Sequence, residues 1–229
     1  MKAIQAGALS ISVLAFLTLV RGAAAQTTSS AVLNSLEVQE LIKRAEPADQ
    51  ARLGAHFAAL ADRSAAEAKQ HTSMAQSYVG NPRGNLGTGM SVHCKGLAEM
   101  NTESATTLRE LAAYHQKLGA GTPATPPIAG GRFQGGAGAR APTNQELSAL
   151  AAKASTPADY RSLEEYFQAL AKRYATDANN HAAMANAYRG TKIAQSAAHC
   201  DRLVALSRDE AKEATAAAEM HKQLAGVAR

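Results

Sequence analysis

Apolar and small side chains recur every three or four residues along two long stretches of the chain. That spacing places them on one face of an α-helix, and each stretch of about thirty residues would form a helix ~45 Å long at ~1.5 Å per residue. The first stripe comprises Leu53, Phe57, Leu60, Ser64, Ala68, His71, Ala75 and Tyr78, and the second comprises Leu163, Phe167, Leu170, Tyr174, Ala178, His181, Ala185 and Tyr188. The pattern predicts two long helices, each with one buried face.

Each long helix is followed by a turn and by a second stripe. Gly and Asn are concentrated in residues 80–87, and the corresponding connection around residues 190–195 is four residues shorter. Such a composition predicts a turn. The returning stripes comprise His93, Leu97, Met100, Ser104, Leu108, Leu111, His115 and Leu118 in the first case, and His199, Leu203, Leu206, Glu210, Ala214, Ala217, His221 and Leu224 in the second. Each pair of stripes therefore predicts an antiparallel helical hairpin.

The two hairpins are copies of one another, so the chain is a tandem duplication. The sequence H-T-S-M-A-Q-S-Y-V-G begins at His71, and H-A-A-M-A-N-A-Y-R-G begins at His181. A short amphipathic helix is predicted ahead of each hairpin, at about 34–45 and 144–154, and each ends just before a proline that suits the first turn of the next helix. One hairpin cannot bury its stripe alone, so the predicted fold is all-α, a four-helix bundle of two tandem antiparallel hairpins.

Composition divides the chain into four segments. Residues 1–25 combine a basic start, an apolar run over residues 8–20 and three alanines at 23–25, which predicts a signal peptide, with a retained amino-terminal anchor as the alternative. Residues 119–143 contain seven Gly and four Pro and are predicted to be a flexible linker. The hairpin repeats then occupy residues 26–118 and 144–229. A signal peptide predicts a secreted or periplasmic protein.

Charge and composition argue against a nucleic-acid partner and against a membrane-spanning segment after the signal. Lys and Arg total 24 against 19 Asp and Glu, and loss of Lys2 and Arg21 with the signal leaves a net charge of +3 without a basic block. Trp is absent and aromatic residues make up 4% of the chain. A nucleic-acid-binding surface is expected to have a concentrated basic face and stacking aromatic side chains, so no nucleic-acid partner is predicted. No segment after the signal is apolar enough to predict an integral membrane span.

Both copies keep the same sulfur and imidazole side chains. A His is followed by a Met three residues later, and another His stands at the start of the returning helix. In a hairpin these three side chains come within reach of one another, and imidazole with thioether favours copper, while imidazole with thiolate favours copper or zinc. The predicted metal ligands are His71, Met74 and His93 in the first copy and His181, Met184 and His199 in the second. If both turns lie at the same end, all six gather in one layer.

Two other interpretations of these histidines remain open. A His on a core stripe also serves as a packing residue that is hydrogen-bonded to a Tyr, Ser or Asn, with Tyr78 and Tyr188 as available partners. The methionines would then only fill gaps. Haem ligation is a third interpretation. His115 and His221 lie near the carboxyl ends of their helices, where a charged imidazole would interact favourably with the helix dipole.

The two cysteines, Cys94 and Cys200, lie about 100° around the helix from the His stripe, on a face of mostly small residues. In an oxidising compartment, two helices that meet through such a face can carry a disulfide. A Cys94–Cys200 bond within one chain requires the two turns to lie at the same end. Metal thiolates and free or intermolecular thiols are the alternatives.

No catalytic arrangement is found in the sequence, and we expect that the protein is not an enzyme. Glu210 corresponds to Ser104 in the first copy, so the duplicated Glu-x-x-His pattern of a di-iron bundle is missing. Two function classes remain. The first is an exported bundle that binds a copper or zinc ion. The second is a structural or protein-interaction bundle without a ligand, with a protein partner or a second copy of the chain as its binding partner.

Overall fold

The computed structural model describes residues 32–85, 89–120 and 142–228. The predicted signal peptide and residues 121–141 of the predicted linker lie outside these ranges. Within them the chain forms helices and no strand, which confirms the all-α class. The helices are α1 (Ser35–Arg44), α2 (Pro47–Val79), α3 (Pro82–Asn85), α4 (Gly89–Leu118), α5 (Asn144–Lys153), α6 (Pro157–Arg189) and α7 (Ser196–Val227). The division into domains stays a prediction.

Local sequence explains where the helices begin. The Asn34 side chain accepts hydrogen bonds from the backbone N–H groups of Leu36 and Glu37, at 3.1 and 2.9 Å, and Glu37 accepts in return from the Asn34 N–H. Thr143 and Thr156 cap α5 and α6 in the same reciprocal way. These capping boxes satisfy N–H groups that have no partner inside the helix. The short helix α3 lies inside the predicted turn and was not expected from its Pro- and Gly-containing sequence.

The hairpins form as predicted, with α2 packed along α4 and α6 packed along α7. The two helices of the first hairpin approach each other closely at its open end, where α2 begins and α4 ends. A Cβ added to Gly54 would lie 2.9 Å from Cγ of Gln116 and 3.2 Å from the carbonyl oxygen of Ala112. Glycine therefore allows the start of α2 to approach the end of α4 at a distance that a larger residue would not permit.

The two hairpins are inverted relative to each other. Tyr78 at the end of α2 contacts His221 near the end of α7, and Tyr188 at the end of α6 contacts His115 near the end of α4. Each turn therefore lies beside the open end of the other hairpin. The α4–α7 contact is antiparallel, because contacts along it pair His93 with Glu213, Glu103 with Arg202 and Glu110 with His199. The hypothesis that both turns share one end is wrong.

The short helices are exchanged between the repeats. Helix α5 of the second repeat packs against α2, while α1 of the first repeat packs against α6 as well as α2. The Asn81 side chain donates hydrogen bonds to the carbonyl groups of Ala151 and Ala154 at the end of α5, at 3.0 and 3.1 Å. Carbonyl groups that end a helix lack intrahelical partners, so this contact holds α5 on the first repeat.

The interior has two apolar clusters with polar residues between them. One cluster contains Phe57, Tyr188 and Cys200, and the other contains Phe167, Tyr78 and Cys94. Both clusters combine residues of the two hairpins, so neither hairpin has a complete core alone. In the part of the chain that the structure covers, no helix has both the length and the apolar character to cross a membrane.

Candidate functional site

A buried tyrosine–histidine hydrogen bond lies at each end of the long helices. The Tyr78 hydroxyl is 2.8 Å from Nε2 of His221, and the Tyr188 hydroxyl is 2.7 Å from Nε2 of His115. The two bonds join equivalent residues of the duplication. Nδ1 of His115 donates to Oε1 of Gln50 at 2.7 Å, so its Nε2 accepts the tyrosine proton. Both ends thus use the same pair to connect one hairpin to the other.

These histidines are neutral packing residues at pH 7. Burial lowers the pKa of His115 and of His221 to about 4. The expectation of a charged imidazole that interacts with the helix dipole is therefore wrong for both. Tyr78 and Tyr188, which were expected as partners of His71 and His181, bond instead to the histidines of the opposite hairpin.

In the first predicted metal set, the structure buries two residues and leaves one at an interface. His71 and Met74 are fully buried on α2, and the His71 ring stacks on Phe167 with a centroid distance of 6.4 Å. Neither ring nitrogen of His71 has a hydrogen-bond partner. His93 lies between α4 and α7, where its Nδ1 is 2.7 Å from a carboxylate oxygen of Glu213.

The second set follows the same pattern. His181 and Met184 are buried, and Nδ1 of His181 has no hydrogen-bond partner. His199 is partly exposed, with its Nδ1 3.7 Å from Glu110. The inverted hairpins place His181 and His71 on opposite sides of the centre, roughly 12 helical residues or ~18 Å apart along the axis. The single layer of six ligands is therefore wrong.

The metal assignment itself stays a prediction. Among the residues that the structure describes, no group of three or more His, Cys, Asp and Glu side chains is arranged to hold a metal ion. His181 lines the same small cavity as Glu67, Asp177 and Glu210, whereas the nearest sulfur ligand in sequence to His71 is the thioether of Met74.

The cysteines are free thiols in different clusters. Cys94 and Cys200 are both fully buried, and no disulfide joins them. The predicted Cys94–Cys200 disulfide is wrong because the inverted hairpins place the two residues in opposite halves of the interior. Burial raises the pKa of the Cys94 thiol strongly and that of Cys200 to about 12, which disfavours the thiolate that a metal ion requires.

The sequence interpretation missed an ionic cluster at the centre of the molecule. Arg63 on α2 pairs with Asp177 on α6 at 2.9 Å, and Arg173 on α6 pairs with Glu67 on α2. The duplication relates Arg63 to Arg173 and Glu67 to Asp177, so the two pairs are equivalent by an approximate twofold axis. The available signal was the Arg-x-x-x-acid pattern, which occurs in both copies beside the apolar stripe.

Glu210 completes this centre. Its carboxylate accepts a hydrogen bond from the Ser104 hydroxyl at 3.1 Å. Burial, with a contribution from Glu67 and Asp177, raises the pKa of Glu210 to about 7 although the Ser104 bond opposes the shift. A cavity of about 20 Å³ lies among these groups and Tyr174, which is space for about one water molecule.

The outer face of the first hairpin carries an open groove between α2 and α4. Two adjoining cavities of about 430 and 500 Å³ form it. Helix α2 contributes Ala65, Ala68, Thr72, Ala75, Gln76 and Val79, and α4 contributes Val92, Lys95, Ala98, Thr102, Ala105 and Arg109. Val79 and Val92 are 70% and 57% exposed, which makes them the most prominent apolar side chains in the groove.

The equivalent end of the second hairpin is closed by an ion pair. Arg189 occupies the position of Val79, and Asp201 occupies the position of Lys95. The Arg189 guanidinium donates to both oxygens of Asp201, at 2.7 and 2.8 Å. The two copies thus differ at this face, where the first hairpin exposes Val79 and the second carries the Arg189–Asp201 ion pair.

No protein-family model, curated protein sequence or solved structure matches this chain.

Proposed function

We propose that the four long helices form an exported four-helix bundle that is not an enzyme and that binds an α-helical segment of a partner protein in the groove of the first hairpin. The observation that carries this proposal is the exposure of Val79 and Val92 in a groove whose other lining residues are small or polar. Apolar side chains grouped in a groove are typical of a binding surface rather than of free surface.

The difference between the copies supports the groove as the functional face. The second hairpin covers the same position with the Arg189–Asp201 pair, so the exposed valines are not required by the fold. Full burial of two valines on binding would contribute on the order of 2 to 4 kcal/mol.

The chemistry of the interior supports a structural role for its polar groups. The histidines near the ends are neutral and hydrogen-bonded to tyrosines, and both thiols have a raised pKa. The central arginines and carboxylates are paired with one another. Groups that are buried, neutral or paired orient the two hairpins and are not available to a substrate.

The double variant Val79→Arg, Lys95→Asp tests this function, because it copies the ion pair of the second hairpin into the groove. Photo-crosslinking from position 92 in the native compartment would identify the partner, and calorimetry would measure its binding to purified protein. We expect the free energy of unfolding of the variant to lie within about 0.5 kcal/mol of the wild-type value, as is usual for surface substitutions. Its affinity for the identified partner should fall at least tenfold.

The matched control is Arg189→Ala, Asp201→Ala on the second hairpin, which should leave the affinity unchanged. Equal binding of the partner to wild type and to the Val79→Arg, Lys95→Asp variant would remove the groove as the binding surface.

A second candidate function is the binding of copper, and one observation favours it. His71 is fully buried with both ring nitrogens unpartnered, one helical turn from the buried thioether of Met74. Each unsatisfied polar group of this kind costs about 1–3 kcal/mol, which a bound soft cation would offset. His181 and Met184 form the equivalent pair.

Calorimetric titration with Cu(I) under anaerobic reducing conditions, and separately with Zn(II), tests the copper hypothesis. We expect Cu(I) to bind with a Kd below ~10 µM, which corresponds to about 7 kcal/mol, and at up to two ions per chain because the two pairs are separate. The double change His71→Ala, His181→Ala should abolish binding. Unchanged binding in that variant, or no binding by wild type, would assign both histidines to packing alone.

A further inference from the structure

We infer that the partner helix is acidic and amphipathic and about four turns long. This inference rests on the proposed function of the groove and specifies the chemistry of its occupant.

The dimensions of the groove indicate a helix. Its α2 side runs from Ala65 to Val79, which is ~21 Å at ~1.5 Å per residue, and a helix of the same length has about 14 residues. Alanine and threonine along both walls allow another helix to approach at the short end of the usual 8–10 Å interaxial range. Val79 and Val92 at one end supply contacts for larger apolar side chains of the partner.

The charges of the groove indicate an acidic partner. Lys69 and Arg109 lie at opposite walls and are both exposed, and neither forms an ion pair with any residue that the structure describes. Lys95 lies further along the groove, 3.8 Å from Glu99, which is the acidic residue among the lining groups. Two unpaired cations thus flank an apolar floor. A helix with an apolar stripe bordered by Glu or Asp matches this arrangement, because complementary charges select the partner and fix its register.

The experiment uses three labelled helical peptides of 16 residues with one Leu/Ala stripe and flanking positions occupied by Glu, Gln or Lys. Fluorescence anisotropy would measure their affinity for the mature protein at 50 and 300 mM salt. We expect the Glu peptide to bind at least tenfold more tightly than the Lys peptide, and its affinity to fall at the higher salt concentration. The variant Val79→Arg, Lys95→Asp should weaken the binding of the Glu peptide at least tenfold.

A second variant separates charge from shape. Lys69→Gln, Arg109→Gln removes both unpaired cations from exposed positions, so the fold should be unaffected. We expect it to reduce the affinity of the Glu peptide to that of the Gln peptide and to abolish the salt dependence, while the Gln peptide itself binds as it does to wild type.

The outcomes distinguish this inference from the proposed function. If the Lys peptide binds as well as the Glu peptide, and the Val79→Arg, Lys95→Asp variant binds neither, the inference of an acidic partner is wrong. The groove then remains the proposed binding surface. If no peptide binds, or if that variant binds the peptides with unchanged affinity, the groove is not the binding surface and both proposals are wrong. A concentration-dependent dimer in sedimentation velocity that the variant abolishes would identify a second copy of the chain as the occupant, and would also overturn the acidic partner.

Discussion

Glu210 is a buried carboxyl group whose ionisation should be visible in the stability of the protein. Its pKa is raised from 4.5 to about 7 in the folded state, chiefly by burial. Below pH 4.5 the carboxyl is protonated in both the folded and the unfolded chain. As pH rises from 4.5 to 7, only the unfolded chain releases the proton, so the free energy of unfolding falls by up to about 3 kcal/mol.

The substitution Glu210→Gln should remove this loss, because the amide keeps an oxygen acceptor for the Ser104 hydroxyl and carries no charge. Urea unfolding at pH 8 should show the variant more stable than wild type by up to about 3 kcal/mol, and the difference should disappear near pH 4.5. Equal stability at pH 8 would mean that Glu210 is ionised without cost in the folded state.

The buried histidines supply an internal control of opposite sign. Burial lowers the pKa of His71, His115 and His181 from 6.5 to about 4. Their contribution is fully present above pH 6.5 and is lost as pH falls toward 4, because the unfolded chain takes up protons first. Wild type and the Glu210→Gln variant should therefore both lose stability in acid.

At the scale of the elements, Asn81 should decide whether α5 stays attached to the first repeat. Asn81→Ala removes the side-chain donor to the carbonyl groups of Ala151 and Ala154, and of these two only Ala154 keeps another side-chain donor, the hydroxyl of Tyr160. We expect a loss of about 1–3 kcal/mol in the free energy of unfolding and faster hydrogen exchange at the end of α5.

Asn186→Ala is the matched control on α6, because Asn186 is exposed and bonds only to the side chain of Arg189 among the described residues. It should change the free energy of unfolding by less than about 0.5 kcal/mol. If exchange in α5 is the same in both variants, apolar packing alone holds the helix in place.

At the scale of the whole molecule, each apolar cluster is shared by the two hairpins. The first joins Phe57 and Leu111 to Leu203, and the second joins Leu97 to Phe167. The hairpins should therefore fold together and not as independent domains.

Separate chains of residues 26–120 and 142–229 test this expectation. Mixed in equal amounts, they should associate one to one and recover the circular dichroism of the intact protein, as measured alongside sedimentation equilibrium. Each alone should lack a cooperative unfolding transition. A cooperative transition in either isolated chain would show that a hairpin has a sufficient core of its own.

The helices and their boundaries were largely predictable, because they depend on local signals. The short helices were expected at about 34–45 and 144–154 and are found at Ser35–Arg44 and Asn144–Lys153. Their caps and the prolines that follow are adjacent in sequence. The exception is α3, whose proline and glycine are typical of a turn.

The central site is not evident from the sequence, because the two repeats carry different residues at one of its positions, Ser104 in the first and Glu210 in the second. Near the approximate twofold axis, equivalent positions of the two repeats face each other. The Ser104 hydroxyl of one repeat can therefore donate a hydrogen bond to the Glu210 carboxylate of the other. The groove was missed for a related reason, since Val79 differs from Arg189 and lies outside the buried stripe.

The sequence by itself determined the period of the helices, the two hairpins and the duplication, because each follows from residues three, four or a few tens of positions apart. Only the tertiary structure decided that the hairpins are inverted. A linker of this composition permits both orientations, and the choice depends on contacts between distant residues, such as Tyr78 with His221 and Arg63 with Asp177. That choice separated the two cysteines, divided the predicted metal ligands and brought the buried carboxyl groups together.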